Sequence, residues 1–148
     1  MRNYDLHSRL GYRVSRLSRT MQARLDRCIS KYGITRLMWC VLTGVGYDGV
    51  TNPSELADYI GITRPATSRL LRTMETRGLL ERSYGGNDGR MIEVRLSARG
   101  AEVLALARKG VDAVNDHFTA KLTPEEMQQF LNAVEKLTAD ENEQLTNL

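Results

Sequence analysis

Apolar residues return every three or four positions through most of the chain, and the breaks in that rhythm mark out its elements. Leu6, Leu10, Val14, Leu17, Met21 and Leu25 form the stripe of one long helix, which Gly33 ends. Thr35 caps a second helix carrying Leu37, Met38, Val41 and Leu42, which closes in the glycine-bearing segment 44–49. Asn52-Pro53-Ser54-Glu55 then reads as a strong helix start. Asn52 accepts a bond from a free amide, Pro53 suits the first helical position, and Glu55 reaches back as in a capping box. This third helix (Leu56, Ala57, Ile60) is short and stops at Gly61. Thr63 caps a fourth, which tolerates Pro65 in its first turn, carries Leu70, Leu71 and Met74, and stops at Gly78.

The period then changes to two. Residues 79–84 and 91–96 read as strands, and in the second Ile92, Val94 and Leu96 alternate with Glu93 and Arg95. Gly85, Gly86 and Gly89 between them allow the positive φ angles of a tight hairpin tip. Ser97 opens a fifth helix (Val103, Leu104, Ala107, Val111, Val114, Phe118), and Thr123-Pro124-Glu125-Glu126 caps a sixth (Met127, Phe130, Leu131, Val134, Leu137). The order α-α-α-α-β-β-α-α predicts a mainly α fold with a small β-hairpin wing. A winged helix-turn-helix domain spans 34–99, with a dimerisation helix before it (1–33) and dimerisation helices after it (100–148). Two or three amphipathic helices make a poor core alone, so their stripes predict an intertwined homodimer.

Composition narrows the function. At 148 residues, 41% hydrophobic and 26% charged, the chain reads as one soluble domain with a real core. No run approaches the roughly 18 apolar residues of a membrane span. Met1-Arg2-Asn3-Tyr4-Asp5 leads into no apolar signal-peptide core, so the expected location is cytoplasmic, with no membrane partner. The two cysteines, Cys28 and Cys40, have no CxxC spacing, and His7 and His117 stand far apart. There is no HExxH, nucleophile elbow or P-loop, and a β pattern rather than a helix follows the glycines. The expectation is a protein that is not an enzyme and needs no metal or cofactor.

The net charge of +3 hides an asymmetry. Residues 1–36 hold nine Lys/Arg against Asp5 and Asp26, and 63–99 hold eight Arg against four acids. Residues 101–148 reverse this, with four Lys/Arg against nine acids. A polyanion would meet the first two segments and be repelled by the third. Double-stranded DNA is the expected partner, because a short capped helix handing over to a cationic one is the shape that enters a major groove. If Leu70, Leu71 and Met74 face inward, Arg64, Ala66, Ser68, Arg69, Arg72 and Thr73 lie on or near the open face, with Thr67 at its border. Arginine pairs with guanine N7 and O6, and small groups meet a thymine methyl. Ser54 and the amides around it, at the start of the third helix, suit a phosphate. Arg90 beside Asp88 suggests a guanidinium held by a carboxylate and aimed at a narrow minor groove.

Taken together, Ser54-Glu55-Leu56-Ala57, Gly61-Ile62-Thr63-Arg64-Pro65-Ala66-Thr67-Ser68-Arg69-Leu70, Gly78-Leu79-Leu80-Glu81-Arg82, Asp88-Gly89-Arg90 and Leu96-Ser97-Ala98-Arg99-Gly100 carry a resemblance. At this spacing the chain resembles the MarR family of bacterial transcriptional regulators over nearly its full length. The resemblance implies a dimer formed by the terminal helices and two winged domains on a palindromic operator. It also implies repression that a small effector relieves. It places base reading on Arg64, Pro65, Ala66, Thr67, Ser68 and Arg69, and the wing's pair on Asp88 and Arg90. It puts the effector among the first, second and fifth helices, where Tyr12, Arg16, Met38 and Trp39 offer aromatic and thioether walls and a cation for a carboxylate. Aromatic acids and phenols are the family's common inducers, and an acyl-CoA thioester also fits. Three positions depart from the pattern: Gly85 and Gly86 replace stiffer residues, Thr67 stands where Val is usual, and Met91 replaces a small residue. Two alternatives stay open, a thiol redox-sensing repressor using Cys28 or Cys40 and a sequence-nonspecific architectural DNA binder.

Overall fold

The computed structural model describes residues 3–85 and 91–146. The first helix, α1, spans Leu10–Ile29, so Leu6 does not share it. Leu6–Ser8 form a separate 3-10 turn whose His7 amide bonds to the Asp5 carboxylate at 3.0 Å, and Arg9 runs extended before α1 begins. The helix ends through Ser30–Tyr32 and Gly33, at φ 72°. Thr35 caps α2 (Arg36–Gly46), its hydroxyl accepting the Met38 amide.

The Asn52 side chain accepts the Ser54 and Glu55 amides at 2.9 and 3.2 Å and starts α3 (Pro53–Ile60). The reciprocal bond expected from Glu55 is not found among the described residues. A two-way capping box forms instead at α6 (Pro124–Thr138), between Thr123 and Glu126. Those bonds to Thr123 hold the Glu126 carboxyl below its usual range.

Gly61, at φ 84°, reverses the chain into α4 (Arg64–Thr76). After α4, Gly78 (φ 73°) lets the Leu79 amide bond back to the Met74 carbonyl at 2.9 Å. That bond keeps Leu79 with the helix end, so β1 is Leu80–Gly85, one residue later than the alternation suggests. Its antiparallel partner β2 (Met91–Leu96) pairs Leu80 with Leu96, Arg82 with Val94 and Tyr84 with Ile92. The Val94 amide also bonds to the Thr51 carbonyl, fastening the hairpin beside α3.

The last long helix, α5 (Ala98–Thr119), is pinned at its start. The Ser97 hydroxyl accepts the Gly100 amide and donates to the Gly78 carbonyl, while the Ser97 amide bonds to the Leu79 carbonyl. A Cβ on Gly100 would overlap that Leu79 carbonyl, so only glycine lets α5 approach the end of α4 this closely.

The core sits within the central unit. Leu42, Leu56, Leu71, Met74 and Val94 are fully enclosed, Val103, Leu104 and Ala107 extend the cluster along α5, and Ile29 joins it from α1. Leu25 packs against it as well, but the earlier part of the α1 stripe is open, with Leu10 59% and Val14 50% exposed. Phe130, Leu131, Val134 and Leu137 of α6 are likewise exposed. Beyond α6 the chain turns back and the Leu145 carbonyl accepts the Thr63 amide at 2.9 Å.

Candidate nucleic-acid interface

Local chemistry sets the face that α4 presents. The Thr63 hydroxyl accepts the Ala66 amide and Pro65 occupies the first turn, which fixes where the helix begins. From that start Arg64, Pro65, Ser68, Arg69, Arg72 and Thr73 are all exposed, spaced at three to four residues along one side.

Ala66 and Thr67 correct the sequence expectation. Both are buried, Thr67 to 1% exposure, because they share the side of the helix that carries Leu71 and Met74. The Thr67 hydroxyl donates to the Thr63 carbonyl at 2.9 Å, so its polar group serves its own helix. Neither side chain reaches the open face. Ser54 is half-buried, and its amide and that of Glu55 are already held by Asn52, leaving the Ser54 hydroxyl as the group on offer. Asp88 and Arg90 lie outside the described residues.

The structure also sorts the arginines that a charge count treats alike. Arg77 donates to the Gly33 carbonyl at 3.1 Å and ties the end of α4 to the α1–α2 turn. Arg82 lies 3.2 Å from Glu75 and holds β1 to α4. Arg36 pairs with Asp26, and Arg95 with Glu93. Among the described residues, Arg64, Arg69 and Arg72 have no carboxylate within 4.0 Å. The face of α4 therefore offers three unneutralised guanidiniums with hydroxyls interleaved, a set suited to base edges and phosphates.

The four effector candidates are not brought together. Tyr12 and Arg16 line a cleft of about 720 Å³ between α1, the end of α5 and α6, with Leu17, Met21, Phe118 and Phe130 as its apolar walls. The Arg16 guanidinium donates to the Tyr12 hydroxyl at 3.4 Å. Trp39 lines a different cleft, about 440 Å³, between α2 and α5, beside Tyr47, Asp48 and Arg108. Met38 is only 3% exposed within the core and touches Arg77. One step along a helix turns a side chain by about 100°, so consecutive residues of α2 face different neighbours. Phe118 and Phe130 were legible only as packing residues, since nothing in their spacing tells a wall from a core.

Burial pushes the Cys40 thiol up from its usual range, which lowers its thiolate fraction at neutral pH. Iodoacetamide at pH 7.5 is expected to label Cys40 more slowly in the folded chain than in urea. Equal rates would restore Cys40 as a sensing thiol. Among the described residues no helix is long and apolar enough to cross a membrane.

A sequence model of the MarR family matches residues 32–91, the segment from the end of α1 to the wing. The HTH-type transcriptional repressor Rv2887 of Mycobacterium tuberculosis is 27% identical over 131 residues, covering 88% of this chain and 94% of that protein. The transcriptional repressor CouR, bound to a 23-mer DNA duplex, superposes with a TM-score of 0.80 at 26% identity, over 93% of this chain and 98% of CouR. The fold is also that of the PcaV transcriptional regulator of Streptomyces coelicolor in complex with its natural ligand. There the TM-score is 0.84 at 22% identity, over 97% of this chain and all of PcaV.

Proposed function

We propose that the chain is a regulator of the MarR family, that it represses transcription by binding a palindromic operator as a homodimer, and that a small anionic or aromatic effector releases it. It is a DNA-binding transcriptional regulator and not an enzyme. The observation that carries the DNA half is the open face of α4, where Arg64, Ser68, Arg69 and Arg72 stand clear of the core with Pro65 beside them. Asp88 and Arg90 extend the contact to the minor groove on the sequence pattern alone, and the Ser54 hydroxyl suits a flanking phosphate.

Surface that one chain leaves open supports the dimer. The exposed stripes of α1 and α6 are too apolar for solvent, and the basic 1–36 segment complements the acidic 101–148 segment. Segments 1–33 and 100–148 then serve dimerisation, and 34–99 reads DNA. For the effector, the α1–α5–α6 cleft offers a cation at Arg16 and an aromatic lining, which favours an aromatic carboxylate.

Arg69→Ala tests base reading. It is expected to cost about 1–3 kcal/mol on the operator while leaving random DNA nearly unaffected, measured by titration at one fixed salt concentration. An equal loss on both DNAs makes Arg69 a phosphate contact. If the unaltered protein does not prefer the palindrome, it is an architectural binder.

A further inference from the structure

The chain does not end with α6. Asp140, at φ 62°, reverses its direction, and Leu145 then meets the helix-turn-helix in a short parallel bridge with Ile62. The bond that closes this bridge runs from the Thr63 amide to the Leu145 carbonyl. Thr63 caps α4, so the tail is fastened at the position from which the reading helix starts, next to the exposed Arg64 and Pro65. Amides at such a position are the ones an incoming phosphate uses.

The tail is also acidic. Residues 139–148 carry Asp140, Glu141 and Glu143 and no Lys or Arg. Glu143 is two residues from Leu145, so its backbone lies within about 7 Å of the bridge. That is inside the Debye length of about 8 Å at physiological salt. A carboxylate this close to the α4 start opposes a phosphate backbone arriving there.

We propose that the C-terminal tail is a built-in competitor of DNA: residues 139–146 dock on the start of α4 and must leave before a duplex can seat. The tail grows out of α6, which also lines the cleft beside Arg16. A shift of α6 therefore reaches the reading helix directly, through its own chain.

The proposal rests on the DNA-binding reading above, and two variants of the full dimeric protein separate the two. One ends at Thr138. The other keeps the tail but carries Asp140→Asn, Glu141→Gln and Glu143→Gln; asparagine accepts the positive φ at 140, so the reversal survives. Both are expected to bind a palindromic duplex about tenfold more tightly near 50 mM salt, with a smaller gain near 200 mM. In the truncated form the Thr63 amide should exchange with deuterium much faster, because among the described residues Leu145 is its acceptor. Unchanged or weaker DNA binding in both variants overturns the competition. An unchanged Thr63 exchange rate overturns the docking. If no form, tailed or not, binds any duplex, the DNA-binding reading itself fails.

Discussion

Met74→Ala is expected to lower the unfolding free energy by about 2–5 kcal/mol, the range for emptying a buried methionine site. Met74 is wholly enclosed, on the α4 side that also carries Leu71 and Thr67. Its loss opens a void between α4 and the rest of the core, and close-packed interiors relax only partly into such a space. The neighbouring Thr73 is exposed on the opposite face, so Thr73→Ala should stay within about 0.5 kcal/mol. Urea unfolding checks both, and a true stability change moves the midpoint without altering the slope. Equal midpoints for the two variants would mean that α4 is not held as described. DNA binding by Met74→Ala should weaken as well, because the arginine face is only as well aimed as the helix that carries it.

The second large effect belongs to the open stripes. Val14→Glu combined with Phe130→Glu places a carboxylate on α1 and on α6, at positions 50% and 45% exposed in the single chain. In a two-fold dimer each substitution appears twice, so four charges would have to be buried or the interface abandoned. Sedimentation at micromolar concentration should then show monomers. Operator affinity should fall by about 10²–10⁴, because two half-sites are no longer bound by one linked body. The chain itself should stay folded, since both residues lie outside the central core. A variant that still sediments as a dimer would place the interface elsewhere.

Much of this arrangement was legible in the sequence because it rests on local chemistry. Asn52-Pro53, Thr63, Ser97 and Thr123 start helices where their side chains meet free amides, and Gly33, Gly61 and Gly78 end them through left-handed turns. What was not legible depends on how elements rotate against one another. Thr67 looks polar and accessible on paper, yet its hydroxyl bonds backward along the helix while its methyl faces the core. Met38 and Trp39 are adjacent in sequence and both join the core, yet α2 turns Met38 toward Arg77 and Trp39 to the wall of the cleft beside α5. The division of the arginines into fasteners and free cations follows from tertiary partners such as Glu75 and the Gly33 carbonyl. The return of Leu145 to Thr63 has no sequence signature, since the bond joins two backbone groups.

The Ser97–Gly100 junction has a mechanical meaning. It clamps α5 rigidly to the reading head, and its 22 residues then run about 33 Å as one rod toward the cleft at its far end. Such a rod is a lever. A tilt of only 5° at the cleft displaces the opposite end, at the reading head, by about 3 Å, by the same helix length. Two levers moving oppositely in a dimer would change the distance between the reading heads by twice that, against the roughly 34 Å separating successive major grooves on one side of a duplex. In the proposed dimer, angstrom-scale accommodation of a small molecule would thus be enough to bring the two heads out of phase with the double helix.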